Sequence, residues 1–332
     1  MTRRPMPSRR ASRFISLSAV ALAAAGLTAC GSGSHRAPAS STSAATTTTA
    51  LPGVGRPPVA VGDKNTFPEQ FVLGALYEQA LAAQGFSVSL DRNIGPIDVR
   101  IRALQGGSIS FYPESIGIWD TSVAGYKREF ASAGAAYQAG QRYALAHGFQ
   151  LLNPTPFSDT PAIGVTLTYA VQQGLHAIGD LRKVAATLTI GGPPQFESSP
   201  TGLAGVEQAY GFAPAAFKPL PLGEQYPALN QGTIQAADVN TTDGQLTSYN
   251  YALLRDPAHV FGWGNVVPVV TQKVLDEEGP AFATTINKVS ALLTTSVIRQ
   301  LNAAVALNQQ DPAKVAKQFL EAHHLVAPTQ SG

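Results

Sequence analysis

The sequence predicts an α/β protein of two lobes, and three observations carry that prediction. Short β-prone runs alternate with stretches at helical spacing from about residue 57 onward. Polar loops rich in Gly and Pro follow the predicted strands at their carboxyl ends. Polar connectors near 157–161 and 240–246 divide the alternation into two sets, so 57–157 with 246–326 form lobe I and 158–245 form lobe II.

With 332 residues the chain has room for two domains, and 44% hydrophobic with 13% charged residues is an ordinary globular balance. The amino terminus departs from it. Arg3, Arg4, Arg9, Arg10 and Arg13 precede an apolar run over 14–27 that ends in Leu27-Thr28-Ala29-Cys30, the pattern of an export signal. Leu-Thr-Ala-Cys resembles a bacterial lipobox, which implies that Cys30 is lipidated and holds the chain to the outer face of the cell membrane. Residues 31–56, rich in Gly, Ser, Ala and Thr, read as a flexible tether. Without residues 1–30 the chain keeps 18 Lys+Arg against 21 Asp+Glu. That balance argues against nucleic acid as a partner.

Val59-Ala60-Val61-Gly62 reads as the first strand, and the loop from Asp63 opens a helix with Pro68 in its first turn and Gly85 as its stop. Strand 86–90, helix 99–104 and strand 109–112 follow. Pro113 cannot donate to a ladder, so that strand is expected to stop at Tyr112. Tyr112, Glu114 and Ser115 then sit at a strand's carboxyl end, where ligands collect in open α/β sheets. The alternative is that Tyr112 caps the core and Glu114 lies in a solvated helical turn. A helix over 125–147 and strand 149–152 complete the set. The second set reads as strand 162–168, helix 178–183, strand 187–190, helix 203–210 and strand 236–239; strands 251–254 and 266–270 follow, then helices 282–307 and 312–322, the last capped by Asp311. Such alternation implies mostly parallel sheets.

Catalytic constellations are missing. The sequence has no G-x-S-x-G elbow, Walker loop or G-x-G-x-x-G after a strand, its six histidines lack metal spacing, and its one cysteine is the lipobox residue. What remains is a set of polar and aromatic loops able to line a cleft for a small solute.

Several motifs in order are similar to one family: Gly62-Asp63-Lys64-Asn65-Thr66-Phe67-Pro68-Glu69-Gln70, Tyr112-Pro113-Glu114, Ser158-Asp159-Thr160, Pro193-Pro194-Gln195-Phe196-Glu197, Pro200-Thr201-Gly202-Leu203, Thr242-Asp243-Gly244-Gln245 and Asp311-Pro312. They resemble the substrate-binding lipoproteins of ABC importers for osmoprotectants such as glycine betaine, carnitine and choline. The resemblance implies a type II two-lobed periplasmic-binding-protein fold with two crossover connections. It also implies a monomer without cofactor or metal that closes on its solute and docks on a permease. It places the ligand among Asn65, Thr66 and Phe67, then Tyr112, Ser115 and Phe157, then Asp159, Thr160, Gln195 and Phe196, and finally Ser199, Asn240, Thr242 and Asp243.

Three positions depart from the pattern. The family commonly has Tyr-Thr-Gly-Thr where this chain has Ser115-Ile116-Gly117-Ile118, an arginine where it has Ser199, and an aromatic where it has Asn240. Aromatic faces hold a quaternary ammonium and an arginine holds a carboxylate. The substitutions therefore point to a more hydrogen-bonding pocket, for a neutral or polyhydroxylated solute. Other readings to test are a lipid-anchored sensor module that binds without transport, and a hydrolase using Asp159 or Glu114.

Overall fold

β1 (Val59–Asp63) opens the first lobe and lies between β2 (Val88–Arg92) and β3 (Phe111–Ser115), both parallel to it. This comes from a computed structural model that describes residues 50–64, 68–127 and 130–328, all within the unit Thr49–Gly332. The expectations for the signal, for Cys30, for the tether up to 49 and for Asn65, Thr66 and Phe67 lie outside the described residues.

The first sheet runs β2-β1-β3-β10-β4, with β4 at Phe149–Leu151 and β10 at Val266–Thr271. The second runs β7-β6-β8-β5-β9, from β5 (Pro161–Thr166), β6 (Thr189–Gly192), β7 (Ala216–Pro219), β8 (Ala236–Asn240) and β9 (Tyr251–Leu253). Both sheets share one plan. Three parallel strands are followed by an antiparallel one, β10 in the first and β5 in the second, which also pairs with the edge strand antiparallel. β5 directly follows β4, and β10 directly follows β9, so the chain crosses between lobes twice. This is the type II two-lobed architecture, although its sheets are mixed rather than mostly parallel.

Lobe II extends further than expected. Tyr251–Leu253 pairs with β5, so the return crossing occupies 254–265 and not the polar turn near 245. Lobe I also begins before 57: the Gly53 amide donates to the Gln84 carbonyl at 2.9 Å, and Arg56 Nη1 donates to the Glu277 carbonyl at 2.9 Å. β3 continues through Pro113. Pro113 lies opposite Pro268 in the ladder with β10. Two residues without N–H groups fit a non-hydrogen-bonded antiparallel pair, so proline costs nothing there.

Local signals explain other differences. The expected strand 162–168 ends at Thr166, whose hydroxyl accepts from the Tyr169 amide at 3.2 Å and starts the helix Leu167–Gln173. The expected helix 282–307 is two helices, Pro280–Leu292 and Thr295–Ala306, because Thr294 caps the second by accepting from the Val297 amide. Asp311 caps Pro312–Ala322 as expected, accepting from the Lys314 amide at 2.9 Å.

Each face of the first sheet has its own core. On one, the helix Pro68–Ala83 packs Tyr77 against Phe111, and Phe111 against Phe282, in edge-to-face pairs. On the other, Trp119, Phe149 and Tyr112 are buried together. The crossings are locked to each other. The Asp159 amide donates to the Gly264 carbonyl at 3.0 Å, the Gly264 amide donates to Ser158 Oγ at 2.9 Å, and Asn265 Nδ2 donates to the Thr155 and Phe157 carbonyls. A Cβ at Gly264 would lie 1.8 Å from the Asp159 carbonyl oxygen, so only glycine lets these backbones approach.

Candidate functional site

Glu114 organises the lobe I side of the site from beneath. Its carboxylate is fully buried and takes hydrogen bonds from Lys64 Nζ at 2.6 Å, Arg100 Nη1 at 2.9 Å and the Ser115 amide at 3.0 Å. The solvated-turn reading of Glu114 is thereby corrected. Two cations satisfy one buried anion, and the result fixes the end of β3. Tyr112 is likewise in the core, fully buried with the Arg100 guanidinium 5.6 Å from its ring centre.

Beyond that end lies a cavity of about 360 Å³. From lobe I it is lined by Ser115, Ile118, Asp120, Thr121 and Phe130, from the first crossing by Asp159 and Thr160, and from lobe II by Thr201 and Asn240. The return crossing contributes its whole stretch from His259 to Gly264. Its size and mixture of aromatic and polar walls suit a small solute.

The aromatic walls are held in place by their neighbours. Trp263 Nε1 donates to the Phe130 carbonyl at 2.7 Å, and His259 leans on the Trp263 ring at 4.7 Å between centres. Phe261 stacks on Phe196 at 6.3 Å. Asp120 sits in a π-helical turn, Trp119–Val123, a distortion that often marks functional positions. Neither of its carboxylate oxygens has a hydrogen-bond partner, and burial pushes its pKa up to about 7.

A second cavity of about 160 Å³ shares Asp159 and Asn240 with the first. Glu69, Asp238, Thr242, Asp243 and Asn302 also line it. Asn302 Nδ2 donates to Glu69 Oε2 at 3.1 Å and to the Thr242 carbonyl at 2.9 Å, while Thr242 Oγ1 donates to Asp159 Oδ1 at 3.1 Å. Tyr226 and the Asn240 amide both donate to Asp243 Oδ2 at 2.9 Å. Burial raises the pKa of Glu69 and Asp159, and the Asp159 charge raises Glu69 further. Burial, then the Asp243 charge, pushes Asp238 up to about 7.

The structure thus brings Ser115, Asp159, Thr160 and Asn240 to the first cavity, and Asp159, Asn240, Thr242 and Asp243 to the second. Other expected site residues lie elsewhere. Tyr112 and Phe157 are core residues with no exposure. Phe196 is buried behind Phe261, and Gln195 is exposed and lines neither cavity. Ser199 acts one step back: its Oγ accepts from the Thr201 amide and lies 3.2 Å from Thr201 Oγ1. The residues that sequence reasoning missed are Asp120, Thr121, Phe130, His259, Phe261 and Trp263. Phe261-Gly262-Trp263-Gly264, aromatics spaced by glycines just before a strand, was the legible signal. Among the described residues, no group of three or more His, Cys, Asp or Glu could hold a metal ion.

The comparisons agree with this geometry. Residues 57–322 match the family described as the substrate binding domain of ABC-type glycine betaine transport system. The chain is 30% identical over 285 residues to the glycine-betaine-binding protein of Pseudomonas aeruginosa, covering 82% of this chain and 90% of the relative. It is 28% identical to the glycine betaine-binding protein YehZ of Escherichia coli, over 82% of this chain and 92% of that one. Its structure is similar to apo YehZ from E. coli, with a TM-score of 0.70 at 26% identity over 81% of this chain and 99% of that one. A crystal structure titled as a glycine betaine/carnitine/choline ABC transporter superposes with a TM-score of 0.74 at 24% identity, over 80% and 99% of the two chains. These are substrate-binding proteins and not enzymes, which sets aside the hydrolase reading of Asp159 and Glu114. With the two-lobed fold, the cavity where its crossings meet and a match over 57–322, the chain belongs to the family of substrate-binding domains of ABC-type glycine betaine transport systems.

Proposed function

We propose that the 360 Å³ cavity is the solute site and that its solute carries a positive charge and no carboxylate, as choline does. The observation that carries this is the charge of the lining. Asp159 lines the cavity, no Lys or Arg is among its described lining residues, and Ser199 stands where the resemblance puts an arginine. A betaine carboxylate finds no cationic partner there. A methylated ammonium finds the faces of Phe130, Phe261 and Trp263, each worth roughly 0.5–2 kcal/mol when desolvated. These aromatics supply what Ser115 and Asn240 lack, and so revise the expectation of a non-quaternary solute.

A second reading keeps that expectation. Ser115, Thr121, Thr160, Thr201 and Asn240 offer five neutral hydrogen-bonding side chains, which suit a polyhydroxylated solute. Thermal unfolding with choline, glycine betaine, carnitine and polyols separates the two. A larger shift with choline than with glycine betaine supports the cation; a shift with polyols alone rejects it.

In this account Cys30 carries the lipid that keeps the chain, as a monomer, on the outer face of the membrane beside the permease. Closure of the lobes around the solute then signals loading, in proportion to the solute's preference for the closed state. Copurification with a sensor kinase in place of a permease would favour the sensor reading.

A further inference from the structure

Two residues that line the smaller cavity each keep a buried oxygen without a partner. Glu69 is 5% exposed and Asn302 6%, both line the cavity, and neither Glu69 Oε1 nor Asn302 Oδ1 has a hydrogen-bond partner. The Thr242 hydroxyl stands near Glu69 as well as Asp159, but it has one proton, which it donates to Asp159 Oδ1 at 3.1 Å, so it cannot serve both carboxylates. An unsatisfied buried acceptor is costly, so such a pair marks a place where a donor belongs.

The surroundings say what kind of donor. Asp159, Asp238 and Asp243 line the same cavity, and no Lys or Arg does among the described residues. The nearest opposing charges stand outside the lining: Arg299 acts on Asp243, and Lys64 acts on Asp159. The ligand should therefore be a cation. A metal ion is disfavoured, because no suitable group of ligands occurs among the described residues. A quaternary ammonium is disfavoured too, since it has no N–H to give.

We propose that this cavity is a second binding site, for a primary ammonium group whose N–H bonds satisfy Glu69 Oε1 and Asn302 Oδ1 beside the carboxylates of Asp159, Asp238 and Asp243. The site lies between lobes, since Glu69 and Asn302 belong to lobe I helices while Asp238 and Asp243 belong to lobe II. Its occupant contacts both lobes and favours their closed arrangement. The proposal stands beside the solute reading, sharing with it only Asp159 and Asn240. The ammonium group has two possible sources, a separate small amine or the amine end of a solute that also fills the aromatic cavity.

Calorimetric titration of the purified chain with methylammonium, tetramethylammonium and KCl at matched ionic strength tests the site. Methylammonium is expected to bind, tetramethylammonium is expected not to displace it, and Glu69→Gln and Asp238→Asn are each expected to weaken it about tenfold or more. Trp263→Leu distinguishes the sources. Methylammonium binding unchanged in that variant supports a site filled independently. A probe carrying a trimethylammonium and a primary amine, binding tighter than either alone and weakened by both Trp263→Leu and Glu69→Gln, supports one solute spanning both cavities. No methylammonium binding above the KCl background, or unchanged affinity in both charge-removing variants, overturns the proposal. Choline failing to bind while methylammonium binds rejects the solute reading and leaves this one standing.

Discussion

Glu114→Gln isolates the contact that holds the site's floor. The substitution keeps shape and removes charge from a fully buried carboxylate whose two cationic partners, Lys64 and Arg100, have side chains only 14% and 10% exposed. Lys64 and Arg100 would then be left facing a neutral amide, and breaking a buried ion pair from one side costs about 3–5 kcal/mol. For a chain of this length, at about 2.1 cal/mol/K of unfolding entropy per residue, that corresponds to a fall of about 4–7 °C in unfolding midpoint. Urea unfolding gives the free energy directly, and the double variant Glu114→Gln/Arg100→Met should recover part of it by removing the stranded cation. Because Glu114 also fixes the Ser115 amide, the single variant should bind solute more weakly at temperatures where it remains folded. A loss below about 1 kcal/mol, or no recovery in the double variant, would refute the clamp.

Three further outcomes follow from the same contacts. Asp63, Asp120 and Asp238 are each raised to about 7 by burial, so the folded chain keeps protons that the unfolded chain sheds near 3.8; stability should fall as pH climbs from about 4 to 8. Midpoints that rise across that window would contradict the buried-acid assignment, and Asp120→Asn should flatten the slope. Gly264→Ala puts a Cβ 1.8 Å from the Asp159 carbonyl oxygen, so it should destabilise the chain by at least about 3 kcal/mol and abolish solute binding by parting the crossings. Trp263→Leu should weaken a quaternary ammonium roughly 2- to 30-fold, measured by calorimetry, while the fold survives.

Much of the fold is legible in the sequence because its signals are local. Pro68 and Gly85 bracket the first long helix, and Asp311 caps the last. What local patterns could not carry is pairing. Nothing near Tyr251–Leu253 says that it joins β5, and Pro113 reads as a strand end until Pro268 is seen opposite it. The site divides the same way. Ser115, Asp159, Thr160 and Asn240 lie at strand ends and crossings, where ligands are expected, and they meet in one cavity. The aromatic candidates Tyr112, Phe157 and Phe196 were exchanged for Phe130, Phe261 and Trp263, because an aromatic looks the same in sequence whether it packs a core or faces a cleft. The unsatisfied pair Glu69 and Asn302, 233 residues apart, could come only from the folded chain.

Titration of the purified chain with choline and glycine betaine, in wild type and in Trp263→Leu, decides whether the aromatic cavity takes a cation without a carboxylate. Choline should bind more tightly than glycine betaine, and the variant should lose much of the choline affinity. Tighter binding of glycine betaine, or choline binding indifferent to Trp263, would contradict the cation reading.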